Sequence, residues 1–159
     1  MQTAQRTLSR LTPTTIPAFT ALCASVTTTL LQLANHRHLG PALYAEATRL
    51  GLIANGPLQW RYNGATGDDT QPFGLDVLLP IQQAGDSATE YAYVDLPEFR
   101  CVTHTHTGPW SELPALYDDL FRAFSAAGYT EGNTVREVYH TIDSMHPERC
   151  VTTIQISIA

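Results

Sequence analysis

The chain has 159 residues, of which 43% are hydrophobic and 15% are charged, and its formal net charge is −6 at pH 7. This composition excludes a disordered chain and is typical of one globular domain, here residues 1–159, with a core of its own. All nine basic residues are arginines that stand singly along the sequence, so the basic patch of a nucleic-acid-binding surface is missing. We therefore expect no direct contact with nucleic acid.

The sequence also argues against a membrane or export function. No window approaches the roughly 18 apolar residues that indicate a membrane span, and the N-terminus lacks the apolar centre of a secretory signal. We expect a cytoplasmic protein without a membrane partner. Cys23, Cys101 and Cys150 form an odd set without C-x-x-C spacing, which predicts buried free thiols.

The first half of the chain predicts a strand, a helix and two more strands. A strand is predicted over 18–26, and a helix begins near residue 41 and stops at Gly51. Strands over 58–63 and 73–81 follow, separated by the turn-rich loop NGATGDDTQP. The polar stretch 83–90 is the predicted linker to the second half.

The second half repeats this order. A strand over 98–107 precedes a helix, and strands over 135–142 and 150–158 follow it. The helix is predicted to be capped by Ser111 and to stop at Gly128. Its apolar stripe has the spacing of one helical face and consists of Leu113, Leu116, Tyr117, Leu120, Phe121 and Phe124.

The two halves also resemble each other in sequence. Both helices contain Pro-Ala-Leu-Tyr near their start, at 41–44 and 114–117, and both end at a glycine. The pattern predicts an α+β fold of two strand-helix-strand-strand modules, about 8–82 and 91–159. We expect an antiparallel sheet with the helices packed on one side.

Glu137 is the unusual residue of the second half. It lies in NTVREVYHTID, residues 133–143, where alternation puts Glu137 and Tyr139 on one face and Arg136 and Val138 on the other. A carboxylate among strand-forming residues is a solvated rim residue, an ion-pair partner or the charged floor of a pocket. The pattern alone leaves these three interpretations open.

Several motifs together carry a family resemblance. They are the Thr-His-x-Gly-Pro-aromatic turn at 105–110, Glu-Val-Tyr at 137–139, the final strand at 152–158, and the stretches GPLQWRY and FGLDVLLPI in the first half. From about residue 8 onward the chain resembles the GyrI-like family, also called the AraC-type effector-binding domain. The resemblance implies two modules related by a pseudo-two-fold axis, with a ligand groove between them.

The resemblance also implies a site. Superposing the modules on their aromatic residues aligns Tyr62 with Tyr139 and Trp60 with Glu137, so a pseudo-two-fold axis would gather these four around one cleft. The family places an acidic ligand-contacting residue at Glu137. Aromatic walls around one carboxylate suit an organic cation. Trp110, at the mouth of the second helix, is either a further wall of the pocket or a core anchor.

His104 and His106 alternate in HTHTG, but no third ligand is indicated, so we expect no metal and no cofactor. His106 is instead expected to stabilise the turn before the second helix.

Two functions remain in view. The first is a ligand-binding module in which Glu137, Tyr139, Trp60, Tyr62 and Trp110 hold a small lipophilic, cationic or planar aromatic ligand, for sensing or sequestration. The alternative, implied by some family members, is a hydrolase of electrophilic cyclopropane-bearing toxins. There Glu137 would activate water, and Tyr139 or Tyr62 would donate a hydrogen bond or a proton to the leaving oxygen.

The sequence gives two further expectations about partners. Because the chain starts almost directly at its first predicted strand, we expect a stand-alone protein that would need another chain to act on DNA. A homodimer is left open.

Overall fold

The computed structural model describes residues 11–86 and 89–159. The described elements, in chain order, are β1 (Pro13–Ile16), β2 (Phe19–Thr28), α1 (Leu39–Leu50), β3 (Gln59–Asn63), β4 (Phe73–Ile81), β5 (Ala92–Leu96), β6 (Phe99–Thr107), α2 (Leu113–Ala126), β7 (Glu131–Thr141) and β8 (Val151–Ile158). Short 3-10 helices precede α1, α2 and β8, at Leu30–His36, Trp110–Glu112 and Pro147–Arg149.

The described strands form one antiparallel sheet in the order β1-β6-β8-β7-β3-β4-β2-β5. The order strand, helix, strand, strand occurs twice, as β2-α1-β3-β4 and as β6-α2-β7-β8. The strands of the two copies occupy equivalent places on either side of the central β3–β7 pair, as a pseudo-two-fold relation requires. The predicted α+β fold is thereby confirmed.

Both helices pack on the same face of the sheet. Leu43 of α1 lies in one core with Val77, and Leu116 of α2 lies in another core with Ile154. The strand register connects these cores through one transverse row of residues on that face: Ala24, Val77, Trp60, Glu137 and Ile154. The helices therefore cover the two flanks of a face whose centre is occupied by Trp60 and Glu137.

The six predicted strands are present, and two strands were missed. β1 and β5 lie at the edges of the sheet and have only four and five residues, too few for a pattern to stand out. β7 begins four residues earlier than predicted, at Glu131. Residues 8–10 of the predicted first module lie outside the described residues.

The predicted cap at Ser111 is wrong. Ser111 lies inside the 3-10 helix Trp110–Glu112, and no side chain caps the helix that follows. Pro109 has extended backbone, and the 3-10 helix begins directly after it at Trp110. Ser111 therefore lies inside a helical turn and not in the extended position before one, where an N-cap side chain acts.

The three cysteines are free and buried, as predicted. Among the described residues no helix is long and apolar enough to cross a membrane.

The glycine at the end of α2 has a backbone conformation that residues other than glycine rarely adopt. Gly128 follows the helix with a φ of +87°, and no atom lies within 4 Å of a Cβ built there. Replacement by alanine should lower the free energy of unfolding by about 1–2 kcal/mol through backbone strain alone. Urea denaturation measures the change. Gly67→Ala is the matched control, since Gly67 is equally open but lacks a left-handed φ; an equal loss in both variants would contradict the assignment.

Candidate functional site

Glu137 lies near the centre of the sheet and is nearly enclosed. In the register of β7, its neighbours are Trp60 on β3 and Ile154 on β8. Only 5% of the residue is exposed. Strand alternation directs its side chain to the face that carries both helices, so the carboxylate lies where the two halves of the molecule meet.

Three tyrosine hydroxyls donate hydrogen bonds to this carboxylate. Tyr62 and Tyr139 both donate to Oε1, over 2.8 and 2.5 Å, and Tyr117 donates to Oε2 over 2.6 Å. The donors come from β3, β7 and α2, so both halves of the molecule contribute. Hydrogen bonds of this kind to a charged acceptor are roughly twice as strong as those between neutral groups.

The protonation of the three tyrosines matches their role as donors. Burial raises the pKa of Tyr62, Tyr117 and Tyr139 well above the usual value, and the negative charge of Glu137 raises each of them further. The hydroxyl groups therefore keep their protons across the neutral range. The carboxylate is held by three neutral donors, and no arginine or histidine of the described residues forms an ion pair with it.

Aromatic rings surround the acidic centre. Trp60, which is half-buried, meets Tyr139 edge to face at 6.2 Å between ring centroids and Tyr62 at 6.4 Å. Trp110 also contacts Tyr139, at 5.5 Å between ring centroids. Its indole Nε1 donates to Thr152 Oγ1 over 3.1 Å, which fixes the orientation of the ring. A cation, the guanidinium of Arg37, lies with its Cζ 6.0 Å from the ring centroid of Trp110.

The structure brings the predicted residues together. Trp60, Tyr62, Glu137 and Tyr139 form one contiguous group, and Trp110 adjoins it through Tyr139. Trp60 and Glu137, predicted to occupy corresponding positions in the two modules, are direct cross-strand neighbours. Trp110 packs against the core of α2 as well as against Tyr139. Its role as a wall of a ligand pocket stays a prediction.

Sequence reasoning missed Tyr117 as a member of the site. Its place in the apolar stripe of the helix suggested a core residue, whereas its hydroxyl reaches Glu137. The sequence repeat did not indicate this contact either, since the corresponding residue of the first module, Tyr44, is 45% exposed. The available signal was the hydroxyl itself, because a buried tyrosine hydroxyl requires a hydrogen-bond partner.

The two histidines of HTHTG take no part in this group. His106 is buried, and its Nε2 lies 3.3 Å from Oε1 of Glu112 across the turn that leads into α2. Gly108 of the same turn has a φ of +146°, and a Cβ there would collide with Glu112. Within residues 11–86 and 89–159, no three His, Cys, Asp or Glu side chains are grouped so as to hold a metal ion.

The family model for the GyrI-like small molecule binding domain matches residues 43–159. The chain belongs to the GyrI-like family. This confirms the resemblance seen in the sequence motifs, although the match begins at residue 43 and the resemblance was expected from about residue 8. No curated protein matches the chain in sequence.

Solved structures extend the similarity in fold to nearly the whole chain. The C-terminal domain of EcmrR matches with a TM-score of 0.80 and 17% identity, over 94% of this chain and 96% of that one. In the EcmrR–DNA complex, the match spans only 56% of the EcmrR chain. SAV2435 bound to tetraphenylphosphonium matches with a TM-score of 0.64 and 13% identity, over 95% and 94% of the two chains.

A hydrolase from Listeria innocua also has this fold. It matches with a TM-score of 0.67 and 15% identity, over 97% of this chain and 94% of the other.

Tyr62, Tyr117 and Tyr139 form a tyrosine cluster around Glu137, and this cluster predicts a loss of stability at alkaline pH. Because their pKa values are raised in the folded state, the three tyrosines contribute stability that is fully present below about pH 10, the unfolded value. That stability is lost as pH rises through the raised pKa values. In a titration that follows tyrosinate absorbance and tryptophan fluorescence, these tyrosines should ionise only together with unfolding.

Tyr62→Phe serves as the control for this titration, since it should remove one tyrosine from the late-ionising group. Complete ionisation of all tyrosines in a protein that stays folded would contradict the arrangement.

Proposed function

We propose that this member of a small-molecule-binding family holds a lipophilic cation against Glu137, in an aromatic cleft between its two halves. The observation that carries the proposal is the charge of the site. Glu137 is nearly enclosed, and its three partners among the described residues are neutral hydroxyl groups. The described residues thus provide this carboxylate with hydrogen bonds but with no counter-ion.

A cation is the natural complement of such a site. An enclosed carboxylate costs several kcal/mol in desolvation, and hydrogen bonds from hydroxyl groups offset only part of that cost. A bound cation would supply the missing charge. The rings of Trp60, Tyr139 and Trp110 add to this, because aromatic faces attract cations.

The lipophilic character of the ligand follows from the same surroundings. The side chains grouped around Glu137 are large aromatic rings, which favours a ligand that carries its charge on an apolar body. The similarity in fold to SAV2435, solved with tetraphenylphosphonium, supports this class of ligand. Sensing and sequestration would use the same contacts, so the proposal concerns binding itself.

Tetraphenylphosphonium and tetraphenylborate test the proposal, because they share a shape and differ in the sign of their charge. The wild-type protein should bind the phosphonium more tightly than the borate. In Glu137→Gln, affinity for the phosphonium should fall by about tenfold or more, and the preference for the cation should disappear. Isothermal titration calorimetry measures both affinities.

Tyr44→Phe is the matched control, since it removes an exposed hydroxyl group outside the cluster and should leave both affinities unchanged. Equal affinity for the phosphonium in the wild type and in Glu137→Gln would exclude a role for the carboxylate in recognition.

Hydrolysis of an electrophilic ring is the second candidate, favoured by the two hydroxyl groups that share Oε1. Glu137 would take a proton from water, and the water oxygen would attack a cyclopropane carbon. The breaking ring bond would leave its electron pair on the electron-withdrawing group of the ligand, where Tyr139 or Tyr62 would supply a proton. Similarity in fold to a hydrolase from Listeria innocua supports this alternative.

Incubation with a cyclopropane-bearing alkylating agent, followed by mass spectrometry, distinguishes the candidates. The hydrolase alternative predicts a product heavier by one water molecule, formed by the wild type and lost in Glu137→Gln. Bound but unchanged agent would leave binding as the function of the site, and turnover that survives in Glu137→Gln would remove Glu137 from the chemistry.

A further inference from the structure

The opposite face of the sheet carries a second enclosed charge. Arg136 directly precedes Glu137 on β7, so its side chain leaves the sheet on the face away from the helices. Only 2% of Arg136 is exposed. It belongs to a transverse row that we call the arginine row, which consists of Ser25, Asp76, Arg61, Arg136, Gln155 and Thr103.

The half of the arginine row that belongs to the first module is fully paired. Asp76 accepts hydrogen bonds from Ser25 Oγ over 2.6 Å and from Asn63 Nδ2 over 2.8 Å. Arg61 donates to the same carboxylate through Nε over 2.9 Å and Nη2 over 2.7 Å. Arg61 thus has an acidic neighbour on the adjoining strand.

Arg136 has no such neighbour. Its partner on the adjoining strand β8 is Gln155, a neutral amide. Within the described residues, Nε and Nη1 of Arg136 are buried without a hydrogen-bond partner, and so are the amide oxygens of Gln155 and Gln59. Burial, followed by the positive charge of Arg61, lowers the pKa of Arg136 to about 10. In the second module, the arginine row therefore contains the positive charge of Arg136 but no acidic residue to pair with it.

Two phenylalanines cover the guanidinium group. Its Cζ lies 3.9 Å from the ring centroid of Phe99 and 5.7 Å from that of Phe19. In a flat sheet, β2 and β7 would lie about 14 Å apart, so these contacts require the sheet to curl toward this face. A ring above a guanidinium occupies its π face and leaves the N–H groups, which lie in the plane, free to bind oxygen atoms.

We propose that Arg136 is the centre of a second binding site, on the face opposite to Glu137, that takes a small free carboxylate. The carboxylate would stand beside Arg136 as Asp76 stands beside Arg61. Its planar oxygens match the in-plane donors of a guanidinium. The side-chain oxygen and nitrogen of a glutamine are interchangeable by rotation of the amide, so Gln155 and Gln59 can turn their NH₂ groups to the same ligand.

Formate is the probe, because it is the smallest carboxylate and the site is enclosed. Thermal unfolding of the full chain is followed in sodium formate and in sodium chloride at equal ionic strength. Formate should raise the melting temperature of the wild type above its value in chloride by on the order of 2–4 °C at saturating concentration.

Two variants test whether that shift depends on Arg136. In Arg136→Met the shift should vanish. In Gln155→Glu the protein supplies its own carboxylate, so the melting temperature should rise in chloride and formate should add nothing. Arg100→Met, at an exposed arginine of β6, should respond like the wild type.

Other outcomes would overturn the proposal. A wild type that melts at the same temperature in both salts indicates a site filled by water or chloride, and an equal formate shift in Arg136→Met places formate elsewhere. Should a variant not fold, the Nε–H resonance of Arg136 in the wild type decides: formate must shift it in a saturable manner, whereas an unmoved resonance excludes the site.

Discussion

The pairing of β3 with β7 is the constraint on which the rest of the structure depends. It joins the two modules through the main chain, and its register sets Trp60 opposite Glu137 and Arg61 opposite Arg136. Side chains alternate along a strand, so a slip of one residue would exchange the two faces and bury different groups on each. The groups around Glu137 and Arg136, on opposite faces, are thus positioned by one set of backbone hydrogen bonds.

Two adjacent residues of opposite charge are buried by different means. Glu137 is surrounded by hydroxyl donors that the chain itself provides, and Arg136 by aromatic rings that provide no acceptor. Because they lie on opposite faces of a strand, they cannot neutralise each other. Burying a charge without a counter-ion is costly, and the ligands proposed for the two positions would each offset that cost.

Much of this could be read from the sequence, and the remainder depended on contacts between distant segments. Alternation in NTVREVYHTID placed Glu137 and Tyr139 on one face, and the repeated helix signal revealed the two modules. Tyr117 was missed because a helical stripe shows which residues are buried, but not which strand they face. The burial of Arg136 was equally hidden, since an arginine in a strand normally points to solvent. Only the curl of the sheet brings Phe19 and Phe99 over it.

The continuous sheet also bears on how fast a ligand can exchange. Five residue pairs join β3 to β7, so the two modules cannot swing apart as hinged lobes without breaking main-chain hydrogen bonds. A molecule bound at Glu137 would enter and leave past individual side chains, such as the half-buried Trp60, or by small displacements of α2. Side-chain rotation takes picoseconds to nanoseconds at exposed positions, far less than lobe opening. The residence time of a ligand would then be governed by its affinity and not by a slow conformational gate.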